Sequence, residues 1–314
     1  MAASPSDATA ATKNLWSVDE CLKEYERNKD QVQFLDATWF HKGERDGKSE
    51  YIAGPRISGA HYWDFVDLSC SHELFPDQNP KKLFAMFPPE ELVAAALDWM
   101  NITPEKALIV YARDGTRFTP RTWYMLKQYC VDDQTIGLMQ GSLEEWIEKG
   151  GPVDDEPLDE AKDICRAKDL LLSNTNPRYP VNPNARERLV DMEFILDFLE
   201  KDETSRPTIL DTRGSSFAKG HIPGAHHIPY SSLTEEGSTI RLKSKEELTE
   251  TLKEKLGEET FANLSKEPVM LTCGSAVSVC SLALAFKELG FPEPMIYDGS
   301  WNEWGKDPNT PKNS

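Results

Sequence analysis

The sequence repeats itself, and this repeat limits the possible folds more than any other feature. Three short motifs of the first half recur in the same order in the second half: an apolar run that stops at an aspartate, a Gly-Ala-His motif, and a Gly-Ser motif that ends in tryptophan. They lie at 34–37, 57–61 and 141–146, and again at 209–212, 222–226 and 299–304. One match could arise by chance, whereas three in one register indicate a duplicated domain of about 120 to 150 residues.

Within each half, short apolar strands alternate with helical patterns, which indicates βα units around a mainly parallel sheet. The runs 107–111 and 268–272 are apolar throughout, as in strands that are buried on both faces. After the second run, apolar residues recur at helical spacing from Leu282 to Leu289, and Gly290 marks the end of this helix. We therefore predict an α/β fold with two tandem domains, each a mainly parallel sheet flanked by helices.

Residues typical of linkers separate the two halves. A segment rich in glycine, proline and acidic residues at 150–157 is followed by an Asn/Pro-rich stretch at 173–184. A helix is predicted from Arg188 to Glu200. The predicted divisions are a first domain at 15–155, a linker at 156–185 and a second domain at 186–310.

The charge of the chain argues against one broad class of function. With 53 acidic and 35 basic residues the net charge is -18, so the surface would repel a nucleic-acid backbone. No run approaches the roughly 18 apolar residues of a membrane span, and no membrane binding is expected. The N-terminus lacks a basic-then-apolar signal, so we expect a cytoplasmic protein, with the mitochondrion as the alternative.

Six cysteines are scattered along the chain, at positions 21, 70, 130, 165, 273 and 280. They form no CxxC pair and no metal-ligand spacing, so we predict neither a disulfide framework nor a metal site. Most of them are expected to pack in the core as small apolar side chains. For Cys280 a regulatory disulfide with Cys273 is the less favoured alternative to a core position.

Cys273 differs from the others because it stands on a strand–loop–helix turn. It follows the apolar run directly and begins the loop Cys-Gly-Ser-Ala-Val-Ser, after which a helix starts. Backbone N–H groups in such a loop, and at the start of the helix, point at the cysteine sulfur and stabilise a thiolate. The small residues Gly274, Ser275 and Ala276 let the backbone approach closely. The pattern predicts a nucleophile, and a core cysteine at a strand end is the alternative.

Two classes of enzyme place a nucleophilic cysteine on a turn of this kind: Cys-dependent phosphatases and sulfurtransferases. A phosphatase needs an arginine six residues after the nucleophile to hold the phosphate dianion, and that position is Val279. We therefore favour sulfur transfer through a persulfide on Cys273.

Taken together, the motifs resemble those of the tandem-domain rhodanese family. The loop 273–278 looks like the CGSGVT loop of 3-mercaptopyruvate sulfurtransferases and differs from the charged CRKGVT loop of thiosulfate sulfurtransferases. Other motifs that resemble the family are LDATW at 35–39, PRTW at 120–123, GHIPGA at 220–225 and YDGSWNEW at 297–304. The resemblance implies a ping-pong sulfurtransferase without a metal or organic cofactor. It favours 3-mercaptopyruvate over thiosulfate as donor.

The resemblance also implies roles for individual residues. The first domain resembles the inactive copy, with Arg113-Asp114-Gly115 where the active copy has its cysteine loop, and would shape a cleft between the domains. In the active copy, the resemblance implies that Cys273 carries the persulfide and that Ser275 transfers a proton. The substrate would contact Gly274, Ala276, Val277 and Ser278. Asp46 falls where relatives place the acidic residue of a proposed Ser-His-Asp arrangement, and Arg56 replaces its histidine. Both are expected near the cleft.

The donor carboxylate has no evident partner in the sequence. Members that act on 3-mercaptopyruvate hold it with two arginines, one in a GRF element and one in an EPR element, and the segment 211–221 contains neither element. A guanidinium is the natural ligand of a carboxylate, so other cations must replace them or the donor differs. The candidates are Arg213, Lys219, Arg117 and Arg121.

The expected partners are a small-molecule sulfur donor and an acceptor, which is either cyanide or a thiol such as thioredoxin. The missing arginine pair motivates an alternative. In that alternative the chain is a relay that hands its persulfide to a protein partner, with little turnover of small molecules.

Overall fold

The computed structural model describes residues 13–41, 43, 45–201 and 206–313. Its strands are β1 (Leu15–Ser17), β2 (Val32–Asp36), β3 (Arg56–Ile57), β4 (His61–Tyr62), β5 (Ala107–Tyr111), β6 (Ile136–Gln140), β7 (Val153–Asp154), β8 (Leu189–Val190), β9 (Thr208–Asp211), β10 (Ala225–His227), β11 (Val269–Thr272) and β12 (Met295–Tyr297). Its α-helices are α1 (Val18–Asn28), α2 (Gly47–Ala53), α3 (Glu90–Trp99), α4 (Thr119–Tyr129), α5 (Leu143–Glu148), α6 (Glu160–Asp163), α7 (Ala167–Ser173), α8 (Met192–Leu199), α9 (Lys245–Leu256), α10 (Glu258–Asn263), α11 (Val279–Leu289) and α12 (Ser300–Trp304). Short 3-10 helices cover Lys29–Gln31, Ser215–Lys219 and Tyr230–Ser232.

In the part of the chain that the structure describes, each half builds its own five-stranded parallel sheet. The strand order is β1-β6-β5-β2-β4 in the first sheet and β10-β9-β11-β12-β8 in the second. Strands β3 and β7 form a separate antiparallel pair. In both sheets the longer strands lie near the centre. All of β11 and all of β5 except Ala107 are buried, as expected for central strands of a parallel sheet. The predicted architecture of two tandem α/β domains is confirmed.

The strongest apolar runs form the elements predicted for them. Strand β5 covers 107–111 as expected, and helix α11 ends at Gly290, which adopts a left-handed conformation with φ of 74°. The helix predicted from Arg188 starts later. Leu189 and Val190 form the edge strand β8, and the Asp191 side chain accepts the Phe194 N–H and begins α8 at Met192.

The segment 156–185 is not an open coil in the structure. It carries α6 and α7, and Leu170 of α7 is buried in the main hydrophobic core. No helix within the described ranges is both long enough and apolar enough to cross a membrane.

The two domains pack on each other through α4 and α11. On one side of this contact the Phe118 and Tyr230 rings lie 5.6 Å apart, and on another the Asp298 carboxylate accepts the Phe87 N–H at 3.0 Å. Because α11 directly follows the loop that begins at Cys273, the first domain contacts the structure that carries the candidate nucleophile.

Candidate active site

Cys273 lies at the carboxyl end of β11, between the neighbouring strands β9 and β12. Cys273 is only 2% exposed, and all six cysteines are free thiols. The Ser275 N–H points back at the sulfur, with 3.4 Å between the nitrogen and Sγ. This is the geometry expected of a backbone loop that stabilises negative charge on sulfur.

The segment after β12 holds the loop in place. The N–H groups of Trp301 and Asn302 donate to the carbonyl oxygens of Cys273 and Gly274, both at 2.9 Å. Ala276 adopts a left-handed conformation with φ of 52°, which turns the chain sharply around the sulfur. The loop is therefore bound to the next strand-to-helix turn and not only to its own strand.

Ser300 is the residue of this second turn that the sequence reasoning missed. Its Oγ accepts the N–H groups of Cys273 at 3.2 Å and Ala276 at 3.1 Å, and it donates to the Tyr297 carbonyl at 2.8 Å. The residue is fully buried. The available signal was the repeated Gly-Ser motif, although the same serine also occurs at position 142 of the first domain.

Helix α11 begins with its N-terminus uncapped by a side chain. Its N-cap residue Ser278 makes no capping hydrogen bond, because its hydroxyl pairs with the Thr212 hydroxyl at 2.8 Å instead. The first N–H groups of a helix carry partial positive charge and attract anions. An anion on the Cys273 sulfur would lie beside this helix start.

The other five cysteines are poor candidates for a nucleophile, because burial raises their thiol pKa values. The pKa rises to about 11 for Cys70 and to about 12 for Cys21, Cys130, Cys165 and Cys280. Only the thiolate form of cysteine is strongly nucleophilic. The Cys280 thiol is fully buried and donates to the Ala276 carbonyl at 3.6 Å, as a core residue would.

The first domain has the same loop without the nucleophile. The Leu143 N–H donates to the Ala112 carbonyl at 2.9 Å, as the Trp301 N–H does to Cys273 in the second domain. Ala112 is therefore the counterpart of Cys273. Gly115, with φ of 84°, corresponds to Ala276. The first copy retains the loop geometry and lacks a thiol at the decisive position.

Among the candidate cations, Arg213 is committed to a structural pair. Its Nη2 and Nε lie 2.7 and 2.9 Å from Asp211 Oδ2, and its Nη2 also donates to the Gly220 carbonyl at 2.8 Å. The guanidinium stacks over the Trp301 ring at 4.3 Å and is almost completely buried. Its charge is already neutralised, which favours the structural role over contact with a substrate.

Arg121 is buried in the domain interface. Its guanidinium stacks over the Phe87 ring, 3.2 Å from the centroid, and Nη2 donates to the Ala85 carbonyl at 3.1 Å. The Nε and Nη1 atoms are buried and have no hydrogen-bond partner in the described part of the chain. This arginine is oriented by the 85–87 segment and lies away from bulk solvent.

Arg117 and Lys219 are exposed, and within the described ranges neither side chain has a hydrogen bond or an ion pair. Arg117 lies on the first domain beside Tyr230 of the second. The two residues line a recess of about 530 Å³, which extends to Ser281 of α11 and also contains Lys243. Arg117 is thus a free cation at the boundary between the domains, close to the helix that follows the Cys273 loop.

Asp46 and Arg56 have local structural partners. Asp46 is exposed and caps α2 by accepting the Ser49 N–H at 2.8 Å. Arg56 is buried, and its guanidinium donates to the carbonyl oxygens of Glu156 at 2.9 Å and Tyr51 at 3.4 Å. These contacts account for both side chains without a role in proton transfer. Among the described residues, no cluster of three or more His, Cys, Asp or Glu side chains could hold a metal ion.

Comparison with known proteins shows which family this chain resembles. A family model for the rhodanese-like domain matches residues 195–307. The thiosulfate sulfurtransferase of Gallus gallus is 30% identical over 278 residues, which cover 87% of this chain and 86% of that protein. The 3-mercaptopyruvate sulfurtransferase of Escherichia coli (strain K12) is 28% identical over 283 residues, covering 88% and 89%.

The fold comparison agrees with the sequence comparison. The crystal structure of SseA from Escherichia coli, described as a 3-mercaptopyruvate sulfotransferase, superposes with a TM-score of 0.69 at 24% identity. The match covers 92% of this chain and 99% of that structure, so both domains are included. The chain is therefore a two-domain sulfurtransferase that belongs to the rhodanese family.

Proposed function

We propose that this protein moves sulfur from 3-mercaptopyruvate to a thiol acceptor through a persulfide on Cys273, with thiosulfate as the second donor. The observation that carries the proposal is the Ser275 N–H directed at Sγ from 3.4 Å, next to the uncapped start of α11. Backbone dipoles in this arrangement stabilise an anionic sulfur without a charged side chain. The uncharged loop favours a donor with a single carboxylate over an inorganic dianion.

The reaction proceeds in two displacements. The Cys273 thiolate attacks the donor thiol sulfur, the C–S bond breaks, and its electron pair leaves on the enolate of pyruvate, which then takes up a proton. An acceptor thiolate next attacks the outer sulfur of the persulfide and releases the Cys273 thiolate. Ser275 is half-buried and its N–H faces Sγ, and its hydroxyl is the proposed proton carrier. The backbone of Gly274, Ala276, Val277 and Ser278 is proposed to surround the transferred sulfur.

Arg117 is the proposed ligand of the donor carboxylate. It is exposed beside the recess at the domain boundary, whereas Arg213 is paired with Asp211 and Arg121 is stacked on Phe87. A guanidinium can hold a carboxylate through two parallel hydrogen bonds. The substitution Arg117→Ala should therefore raise KM for 3-mercaptopyruvate about tenfold or more, the equivalent of one charge-assisted hydrogen bond, with a smaller effect on kcat. Lys219→Ala is the matched control. A larger effect from the control would transfer the role to Lys219.

The persulfide itself is tested by mass spectrometry after exposure to each donor. The proposal expects one added sulfur on Cys273, lost in Cys273→Ser and kept in Cys280→Ala. An added sulfur that persists in Cys273→Ser would assign the chemistry to another residue. Turnover of both donors, with thioredoxin, a small thiol or cyanide as acceptor, then ranks the substrates.

A relay function is the second candidate, because the structure offers no obvious pair of free arginines around Cys273 among the described residues. The 2% exposure of Cys273 argues against a relay, because a small donor reaches a buried thiol more easily than a folded partner does. Efficient persulfidation by a cysteine desulfurase, together with negligible turnover of every small donor, would establish the relay. The cytoplasm is the proposed compartment, with the mitochondrion as the alternative.

A further inference from the structure

The duplication provides an internal comparison for the serine of the repeated Gly-Ser motif. In the first domain Ser142 has φ of -105° and caps α5, and its Oγ accepts the Glu145 N–H at 3.3 Å. In the second domain Ser300 has φ of 51° and makes no cap for α12. The same residue at the same place in the fold has therefore taken a left-handed conformation and a different set of partners.

The new partners of Ser300 belong to the loop around Cys273. Its Oγ accepts the N–H groups of Cys273 and Ala276, at 3.2 and 3.1 Å, and its hydroxyl proton goes to the Tyr297 carbonyl. A hydroxyl has two acceptor sites and one donor, so all of its capacity is used. Ser300 can therefore act on the reaction only through the loop and not by contact with a substrate.

The two N–H groups that Ser300 binds flank the one that faces the sulfur. Between Cys273 and Ala276 lies Ser275, whose N–H is directed at Sγ from 3.4 Å. With the Ser300 hydroxyl in place, the peptide groups on either side of Ser275 are fixed. Without it, two buried donors lose their acceptor and the loop is free to reorient to satisfy them.

We propose that Ser300 is a positioning residue that makes the Cys273 thiol reactive by holding the Ser275 N–H against the sulfur. The proposal rests on the proposed role of Cys273 as the nucleophile. It goes beyond that role, because it assigns the reactivity of the thiol to a residue on a separate strand-to-helix turn. It also explains why the second copy carries a left-handed serine where the first copy has an ordinary helix cap.

The test compares Ser300→Gly and Ser300→Ala with the matched variant Ser142→Ala. Ser300→Gly removes the hydroxyl and tolerates the positive φ without strain, so it should fold even where Ser300→Ala does not. Ser142→Ala removes the corresponding hydroxyl of the inactive copy. The rate of alkylation of Cys273 by iodoacetamide is measured against pH in the full chain, with the modified residue identified by mass spectrometry.

We expect Ser300→Gly to raise the midpoint of the alkylation profile by about one pH unit. Below the midpoint, this shift corresponds to an alkylation rate about tenfold lower than that of the wild type. Alkylation should approach the wild-type rate at high pH, where the thiolate is fully formed in both proteins. A loss of packing alone would lower the rate at every pH. Ser142→Ala should keep the wild-type profile while it lowers the thermal midpoint of unfolding.

An unchanged profile in Ser300→Gly, or an equal shift in Ser142→Ala, would overturn the proposal. Alkylation needs no sulfur donor, so the result does not depend on whether the wild-type protein turns over 3-mercaptopyruvate. The role of Ser300 and the identity of the donor are thereby tested separately.

Discussion

Asp298 offers a quantitative test of the interface between the domains. Its carboxylate is 5% exposed and accepts the Phe87 N–H of the first domain, at 3.0 Å from Oδ2 and 3.3 Å from Oδ1. Burial raises the pKa of this carboxyl from 3.8 to about 6, although the nearby Arg121 guanidinium lowers it. The substitution Asp298→Asn keeps an oxygen acceptor for Phe87 and removes the buried charge.

The size of the effect follows from the two pKa values. A raised pKa means that the folded state binds the proton more tightly than the unfolded state. The tighter proton binding stabilises the folded state fully below the unfolded pKa, near 3.8. This stabilisation is lost as the pH rises through the folded pKa of about 6. At pH 7.5 the buried carboxylate costs about 3 kcal/mol relative to its neutral form, and at pH 5 roughly half as much.

The assay is urea unfolding of wild type and Asp298→Asn at pH 7.5 and pH 5. We expect the variant to be more stable at pH 7.5 by up to about 3 kcal/mol, with the gain falling to roughly half at pH 5. The substitution Asp133→Asn, at an exposed position, should give the same small effect at both pH values. A variant that is less stable than wild type at pH 7.5, or a difference independent of pH, would refute the reasoning. Either result would mean that Asp298 is held as an ion by Arg121.

Two further predictions use the duplicated architecture. Asp211→Asn leaves the buried Arg213 guanidinium without its counter-charge and should lower the free energy of unfolding by about 3 kcal/mol or more. Asp36 lies at the equivalent position of the first domain, where burial raises the carboxyl pKa and Oδ2 has no hydrogen-bond partner among the described residues. Asp36→Asn should therefore cost little stability, and equal losses in the two variants would contradict this reasoning. Ala276→Gly should raise stability by about 0.5 to 1 kcal/mol, because φ is 52° there. Ala283→Gly inside α11 should lower it by about 1 kcal/mol. Urea unfolding measures all four, and a destabilised Ala276→Gly would show that the left-handed conformation is not strained.

The fold was predictable because its strongest signals are local and repeated. A continuous apolar run such as 107–111 has few alternatives to a buried strand, and the second copy repeats the pattern. The predicted start of the helix at Arg188 was wrong, because the apolar pair Leu189 and Val190 is compatible with an edge strand as well as with a helix. Only the contact with β12 decides between them.

The cations of the site were less predictable, because the sequence lists charges and not their partners. Arg213 follows Asp211 by two residues, and only the turn after β9 brings the two side chains together. Arg121 looks equally available in the sequence, yet it is stacked on Phe87, which lies 34 positions earlier in the chain. Whether an arginine can meet a substrate depends on contacts that spacing does not encode.

The two copies show where catalytic competence resides in this fold. Their loops have similar backbones, since Gly115 and Ala276 both take positive φ and both loops accept an N–H from the following turn. The backbone alone therefore does not create the site. What distinguishes the second copy is a thiol at position 273 and a serine at position 300 that turns inward. A nucleophile without a fixed N–H beside it would be an ordinary buried thiol, like Cys280, whose pKa burial raises to about 12. Reactivity in the second domain thus requires the cysteine and the support of its loop together.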